Sequence, residues 1–163
     1  MAGVYTQEEF TDLYHRQMNM VYHICLMLMK NVPDAEDVTQ TVFRKALELD
    51  EPFRNAEHER AWFIVASRNE CKNQLKHWWR TRRAGVEELK AITWEQPGDG
   101  EVWELLLTLP ERERMALYLH YYQGYDTNET AGLMGVKPAT LRSWLYRARG
   151  KLKQRREAEG HGK

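Results

Sequence analysis

Hydrophobic residues recur at intervals of three and four positions along most of this chain of 163 residues. In the first such run, from about Thr6 to Lys30, Leu13, Val21 and Ile24 fall on one side. That spacing is typical of an amphipathic helix that buries one face. No segment shows the strict alternation of apolar and polar residues that favours a half-buried strand. The pattern therefore predicts an all-α protein.

A second helix is predicted after the break at residues 31–33, which ends in a proline. Asp34 has the position of its N-cap, and Asp37 three residues later supports this, because carboxylates accept hydrogen bonds from the free N–H groups of a first turn. Capping alone is a sufficient reason for these acidic residues. The apolar stripe of this helix consists of Val38, Val42, Ala46 and Leu49.

A polar loop follows over residues 50–59, and it contains one aromatic side chain, Phe53. An aromatic ring in a polar loop either makes a small packing contact or belongs to a binding site. A third helix is predicted from about Arg60 to Arg80, where the helical pattern resumes.

The helical pattern fades between residues 81 and 100, and a breaker cluster, QPGDG, occupies residues 96–100. Closely spaced Pro and Gly residues are typical of loops and domain boundaries. We therefore predict two small helical domains, over residues 1–80 and 101–156, joined by a flexible acidic linker over 81–100. A short Gly-rich tail follows over 157–163.

Residues 125–154 have the sequence form of a helix-turn-helix. Thr127 or Asn128 is placed to cap a short first helix. Gly135 supplies the left-handed residue that the turn needs, and a longer second helix begins near Pro138.

The second helix of this motif divides into an apolar and a basic face. Between Lys137 and Arg156 there are eight basic residues and no acidic residue. Such a helix is suited to the DNA major groove, where arginine reads guanine edges or binds phosphate, although a basic face exposed only to solvent has the same composition. The predicted buried stripe is Leu141, Leu145, Ala148 and Leu152. The predicted DNA contacts are Lys137, Thr140, Arg142, Ser143, Tyr146 and Arg147.

The formal net charge of zero hides four blocks of alternating sign. Residues 1–60 carry −5, residues 61–85 carry +5, residues 86–110 carry −5 and residues 111–163 carry +5. The two basic blocks are candidates for binding a polyanion. The first of them combines a stripe of Lys72, Lys76, Arg80 and Arg83 with Trp78 and Trp79. Cations mixed with aromatic rings suit single-stranded DNA, but tryptophans in a small domain are equally consistent with a core.

Several function classes are disfavoured by the remaining residues. Cys25 and Cys71 lie inside helical patterns and indicate a reduced, cytoplasmic setting. No stretch is apolar enough to span a bilayer, and no secretory signal is visible. Neither His23 with Cys25 nor Cys71 with His77 has the spacing of a metal site, and no Gly-rich phosphate loop occurs. We expect no metal, no cofactor and no enzymatic activity.

In order and spacing, four segments resemble the extracytoplasmic-function (group 4) sigma factors of the sigma-70 family, which give bacterial RNA polymerase its promoter specificity. They are residues 34–43 (DAEDVTQTVF), 61–69 (AWFIVASRN), 109–114 (LPERER) and 137–149 (KPATLRSWLYRAR). The resemblance implies a sigma-2-like helical bundle followed by a sigma-4-like helix-turn-helix domain. It also implies a factor that binds polymerase core, recognises promoter sequence and opens the DNA.

The resemblance also implies roles for individual residues. Phe53, nine positions before Trp62, matches a loop aromatic that helps to hold a base flipped from the melting duplex. Asn69, seven positions after Trp62, matches a residue of strand separation and base capture. The downstream DNA-binding set then also includes Lys72, Lys76 and Arg80. The residues implied to bind polymerase are Asp34, Asp37, Gln40 and Phe43.

The implied partners are polymerase core, at its largest-subunit clamp and its flap, promoter DNA, and an anti-sigma protein, with no membrane insertion. Trp144 departs from the family pattern, because an arginine is common there, and this leaves the upstream DNA sequence open. A stand-alone helix-turn-helix repressor or activator is the alternative. It would account for residues 125–156 but not for the acidic helix or the set of Phe53, Trp62 and Asn69.

Overall fold

The computed structural model describes residues 3–78 and 100–161 and divides the chain into two compact units, Met1–Leu89 and Lys90–Lys163. Every regular element in the described residues is helical, so the prediction of an all-α protein with two helical parts is confirmed. Arg80, Arg83, Trp79 and the predicted linker lie outside the described residues, apart from the backbone of Gly100.

The first unit contains three helices, α1 (Gln7–Met29), α2 (Val32–Leu47) and α3 (Ala56–Trp78). The first helix starts with a capping box, in which the side chains of Thr6 and Glu9 each accept a hydrogen bond from the other residue's backbone N–H. It ends at Lys30, whose left-handed backbone (φ 55°) turns the chain into α2. All three helices pack against one another, as the apolar stripes of α1 and α2 predict.

Phe43 of α2 lies at the centre of the first unit's core and is only 5% exposed. Its ring centroid is 4.8 Å from that of Tyr14 in α1 and 5.0 Å from that of Phe63 in α3. Phe10 meets the same ring edge-on at 6.4 Å. Because aromatic pairs at these separations add to the burial of apolar area, Phe43 joins all three helices.

Two buried carboxylates of α3 are paired with the other two helices. Glu59 accepts hydrogen bonds from Arg16 (2.8 Å) and Gln17 (2.6 Å) of α1, and Glu70 forms an ion pair with Lys45 of α2 at 2.5 Å. Burial raises the pKa of both carboxyls, but the hydrogen bonds and the charges of their partners outweigh it, so each pKa lies below its ordinary value. Both groups therefore remain ionised and hold α3 in register.

Two predicted helix starts in the first unit are wrong. The N-cap of α2 is Asn31, whose side chain accepts the Asp34 N–H at 3.0 Å, and Asp34 itself is buried in the first turn. A proline fits the first turn of a helix without losing a hydrogen bond, so Pro33 lies inside α2 rather than before it. Helix α3 begins at Ala56, four residues earlier than predicted, and α2 ends before Leu49.

The second unit contains α4 (Gly100–Leu106), α5 (Glu111–Leu117), a π-helical turn (Tyr118–Tyr122), α6 (Thr127–Met134) and α7 (Pro138–His161). The buried stripe predicted for the last helix is confirmed at Leu141, Leu145 and Ala148, which are at most 2% exposed. Leu152 is half-buried.

Two charged side chains at the start of α5 hold the second unit together. Arg114 is 4% exposed and donates to the carbonyl oxygens of Leu106 (3.2 Å) and Leu109 (2.7 Å), which closes the C-terminal end of α4. Burial lowers the pKa of Arg114 to about 10, so the guanidinium stays charged at neutral pH. Glu113, 1% exposed, pairs with Lys151 of α7 at 2.9 Å.

The turn of the helix-turn-helix is confirmed, but its predicted cap is wrong. Gly135 ends α6 with a left-handed backbone (φ 69°), as predicted. The N-cap of α6 is Asp126 rather than Thr127 or Asn128. The Asp126 side chain accepts a hydrogen bond from the Glu129 N–H at 2.7 Å, and the Glu129 side chain accepts one from the Asp126 N–H at 3.0 Å. These two bonds form a capping box.

Candidate nucleic-acid interface

One face of α3 carries most of the residues predicted to meet the downstream DNA. Trp62, Asn69, Lys72 and Lys76 lie seven, three and four positions apart, which places them on one stripe of the helix. Trp62 is half-buried, and the other three are exposed. The opposite face of α3 is buried through Phe63, so the stripe faces solvent within this unit.

Phe53 lies at the Trp62 end of this stripe and is half-buried. Its ring centroid is 5.6 Å from that of Trp62 and 5.8 Å from that of Phe63. Tyr5 and His58 approach the same ring at 6.2 and 5.4 Å. The structure therefore brings Phe53 and Trp62 together, in an aromatic cluster in which both side chains are half-buried.

The acidic surface of α2 contains only part of the predicted polymerase-binding set. Asp37 and Gln40 are exposed. Asp34 and Phe43 are each 5% exposed, and Phe43 is the core aromatic described above. Their burial places these two side chains behind the surface of α2 rather than on it.

The face of α7 that is predicted to read DNA is exposed to solvent. Tyr146 is 76% exposed. Within the described part of the chain, none of the neighbouring side chains on this face forms a hydrogen bond, ion pair or ring contact. The exposed residues are Lys137, Thr140, Arg142, Ser143, Tyr146 and Arg147.

Sequence reasoning missed two cations that flank this reading face. Arg112 of α5 lies over the ring of Trp144 at 5.7 Å from its centroid, and Arg149 donates to the hydroxyl of Tyr121 at 2.5 Å. At about 100° of rotation per residue, Trp144 and Arg149 lie on opposite sides of the buried Leu141 stripe. No spacing rule pairs residues 28 to 32 positions apart, so only the tertiary structure reveals these contacts.

The described residues contain neither a candidate metal site nor a helix that could span a membrane. Within residues 3–78 and 100–161, no group of three or more His, Cys, Asp or Glu side chains is placed to hold a metal ion. No helix in the described part of the chain is both long and apolar enough to cross a membrane. Cys25 and Cys71 are buried free thiols.

Two family descriptions match the chain. Sigma-70 region 2 matches residues 13–81, and Sigma-70 region 4 matches residues 99–152. The first covers the three-helix unit with Phe53 and α3, and the second covers the helix-turn-helix.

Individual relatives agree with these two matches. The chain is 27% identical over 150 residues to the RNA polymerase sigma factor HrpL of Pseudomonas syringae pv. syringae, covering 85% of this chain and 82% of that protein. It is 25% identical over 147 residues to the ECF sigma factor SigM of Mycobacterium tuberculosis (strain H37Rv), covering 88% and 74%. The sigma factor RpoE of Bartonella quintana, solved in complex with the anti-sigma factor NepR, shares the fold with a TM-score of 0.73 at 22% identity, covering 90% and 96%.

A helical unit with an aromatic cluster beside a basic stripe, followed by a helix-turn-helix unit, is the arrangement that a promoter-recognition subunit needs. The chain belongs to the sigma-70 family of RNA polymerase sigma factors, within its extracytoplasmic-function group. It is a transcription initiation factor of that family, and the alternative of a stand-alone repressor is not favoured.

Proposed function

We propose that this sigma factor docks on the polymerase clamp through the exposed Asp37 and Gln40 of α2. The support is their position on the first turns of a helix whose other face is locked into the core by Val38 and Val42. Asp34 and Phe43 support this surface from behind, Asp34 within the first turn and Phe43 through the core. The clamp contact then needs no rearrangement of the three-helix unit.

The downstream promoter element is opened and read by the residues around Phe53. The single observation that carries this proposal is the Phe53–Trp62 contact at 5.6 Å, at one end of a stripe that continues through Asn69 to Lys72 and Lys76. Aromatic faces accept an unstacked base, and an exposed amide can bond its edge. The lysines follow the backbone of the same strand, and Arg80 extends this set.

The upstream element is read as duplex by α7 in the major groove. Arg142 and Arg147 are the candidates for guanine edges, while Ser143, Tyr146, Thr140 and Lys137 contact neighbouring edges and phosphates. The support is their common exposure on one face of a helix whose opposite face is buried.

The division of work follows the two units. Residues 1–80 bind the clamp and melt DNA, residues 101–156 read the upstream element near the polymerase flap, and residues 81–100 connect them. Since RpoE was solved with an anti-sigma factor, such a regulator is a proposed partner here too. In this proposal the protein acts in the cytoplasm together with polymerase, and it catalyses no reaction itself.

Run-off transcription tests the proposal. Purified bacterial core polymerase is incubated with a pool of promoter fragments, with and without the protein. We expect start sites that depend on the protein and that weaken with Asn69→Ala or Arg147→Ala. Tight binding to a duplex site without core binding or initiation would refute the proposal and favour a repressor.

A further inference from the structure

The loop between α2 and α3 is held in shape by side chains rather than by its own backbone. Within the described residues, no N–H between Asp50 and Arg54 donates to a backbone carbonyl. Instead, the Phe53 N–H donates to the hydroxyl of Tyr5 at 2.8 Å, and the Arg54 N–H donates to Nδ1 of His58 at 3.0 Å. Two consecutive backbone amides therefore depend on two side chains from different parts of the chain.

These two side chains also contact the Phe53 ring itself. The rings of Tyr5 and Phe53 are 6.2 Å apart at 31°, and those of His58 and Phe53 are 5.4 Å apart at 79°. The backbone of His58 is anchored in the first turn of α3, since its backbone N–H donates to Oδ1 of Asn55 at 2.8 Å. Tyr5 thus holds both the backbone N–H and the ring of Phe53, and His58 holds the same ring and the backbone N–H of the next residue.

We propose that Tyr5 and His58 are positioning residues for base capture. They hold the Phe53 loop in the form that receives an unstacked base, so that the loop loses little freedom when the base arrives. The inference rests on the proposed role of Phe53 and adds the residues that prepare it. Nothing in the family resemblance assigns either residue.

The hydroxyl and the imidazole acceptor can be removed while the rings are kept. Tyr5→Phe deletes only the oxygen that accepts from Phe53, and His58→Phe deletes the acceptor for Arg54 but retains an aromatic ring. Two matched controls lie in the same unit, Tyr14→Phe and His15→Phe. Both residues are exposed, and neither side chain makes a hydrogen bond within the described part of the chain.

The experiment measures binding of assembled holoenzyme to a single-stranded oligonucleotide. The probe is the non-template strand of the strongest promoter recovered from the run-off fragment pool. Since one hydrogen bond is removed in each case, we expect each variant to bind this strand about fivefold more weakly and the double variant about 25-fold more weakly. Affinity for core polymerase and for the upstream duplex should not change, and the two control variants should behave as wild type.

A double-mutant cycle separates positioning from general stability. If Tyr5 acts through Phe53, then Tyr5→Phe should add no further loss in a Phe53→Ala background. Equal losses of strand binding and core binding, or full additivity in this cycle, would show that the residue only stabilises the unit and would overturn the inference. A thermal melt of each variant identifies those that fail to fold.

The outcomes also distinguish the two levels of the proposal. Wild-type strand binding by Phe53→Ala and Asn69→Ala would refute the base-capture site itself. Loss with those two variants but not with Tyr5→Phe or His58→Phe would retain the site and overturn only the positioning role.

Discussion

The two surfaces assigned to DNA differ in how their key side chains are held. In the first unit, the half-buried Phe53 ring is contacted by the rings of Tyr5, His58 and Trp62, and the Phe53 backbone N–H is bonded to Tyr5. In the second unit, the reading face of α7 is exposed, and within the described residues its side chains form no hydrogen bond, ion pair or ring contact, as Tyr146 at 76% exposure illustrates.

The nature of the target explains this difference. A base leaving the duplex loses its stacking partners, and a site that already has its shape avoids a further loss of freedom on the protein side. Base edges in duplex DNA are already fixed in space, so long side chains can adjust to them. Beside the reading face of the second unit, the flanking cations Arg112 and Arg149 are held by Trp144 and Tyr121.

Removing the Phe53 ring should have the largest effect on promoter opening. Phe53→Ala is expected to reduce promoter opening on the order of 100-fold, because stacking of one base is worth up to about 3 kcal/mol. Permanganate footprinting of the promoter with holoenzyme measures the open strand, while upstream duplex binding serves as the internal control. Normal opening by this variant would remove the distinction between the two surfaces.

A smaller effect is expected when one reading side chain of α7 is removed. Arg147→Ala should weaken discrimination at one base pair of the upstream element by about 2 kcal/mol, or roughly 30-fold. Binding of a library of upstream variants to holoenzyme measures this selectivity. A uniform loss across all sequences would mean that Arg147 binds phosphate only.

The flanking cations should affect affinity without affecting selectivity. Arg149→Gln and Arg112→Gln are each expected to weaken upstream binding by about 1 kcal/mol and to reduce the salt dependence by about one charge. Titrations at several salt concentrations measure the slope. Tyr121→Phe keeps the charge of Arg149 but removes the hydroxyl that accepts its hydrogen bond. This variant should therefore preserve the salt dependence of upstream binding and lower the affinity for the upstream element slightly.

The smallest effect on promoter use is expected at the α1–α3 ion pair. Because the folded-state pKa of Glu59 lies below the ordinary pKa of a glutamate, ionised Glu59 stabilises the fold at pH values above that ordinary pKa, and this contribution is lost as the pH falls through the folded pKa. Arg16→Gln should raise the acid unfolding midpoint and cost about 0.5 kcal/mol, with opening at neutral pH unchanged. Circular dichroism across pH 2 to 6 measures the midpoint, and an unchanged midpoint would contradict this reasoning.

Helix identity was predictable here, whereas the caps of α2 and α6 and the start of α3 were not. Asp34, Thr127 and Asn128 are all good capping residues by type, yet the caps are Asn31 and Asp126. Several neighbouring polar residues satisfy the same rule, and the choice depends on which turn allows the following apolar residues to reach the core. The exposed and buried faces of α7, in contrast, followed directly from its periodicity.

The candidate site was only partly predictable for a related reason. Phe53, Trp62 and Asn69 were found through family spacing, and Arg142 and Arg147 through the phase of one helix. Tyr5 is 48 positions from Phe53, and Arg112 is 32 positions from Trp144. Such distant pairs leave no periodic signal in the chain.

The sequence by itself determined that this protein is helical, that it has two parts, and which face of α7 is basic, because these properties depend on local periodicity and composition. Only the tertiary structure decided which predicted residues remain on the surface, as the burial of Asp34 and Phe43 demonstrates. It also decided which side chains hold the Phe53 loop. The Tyr5 contact joins residues 48 positions apart, and it exists only once the chain before α1 has been brought beside the loop between α2 and α3.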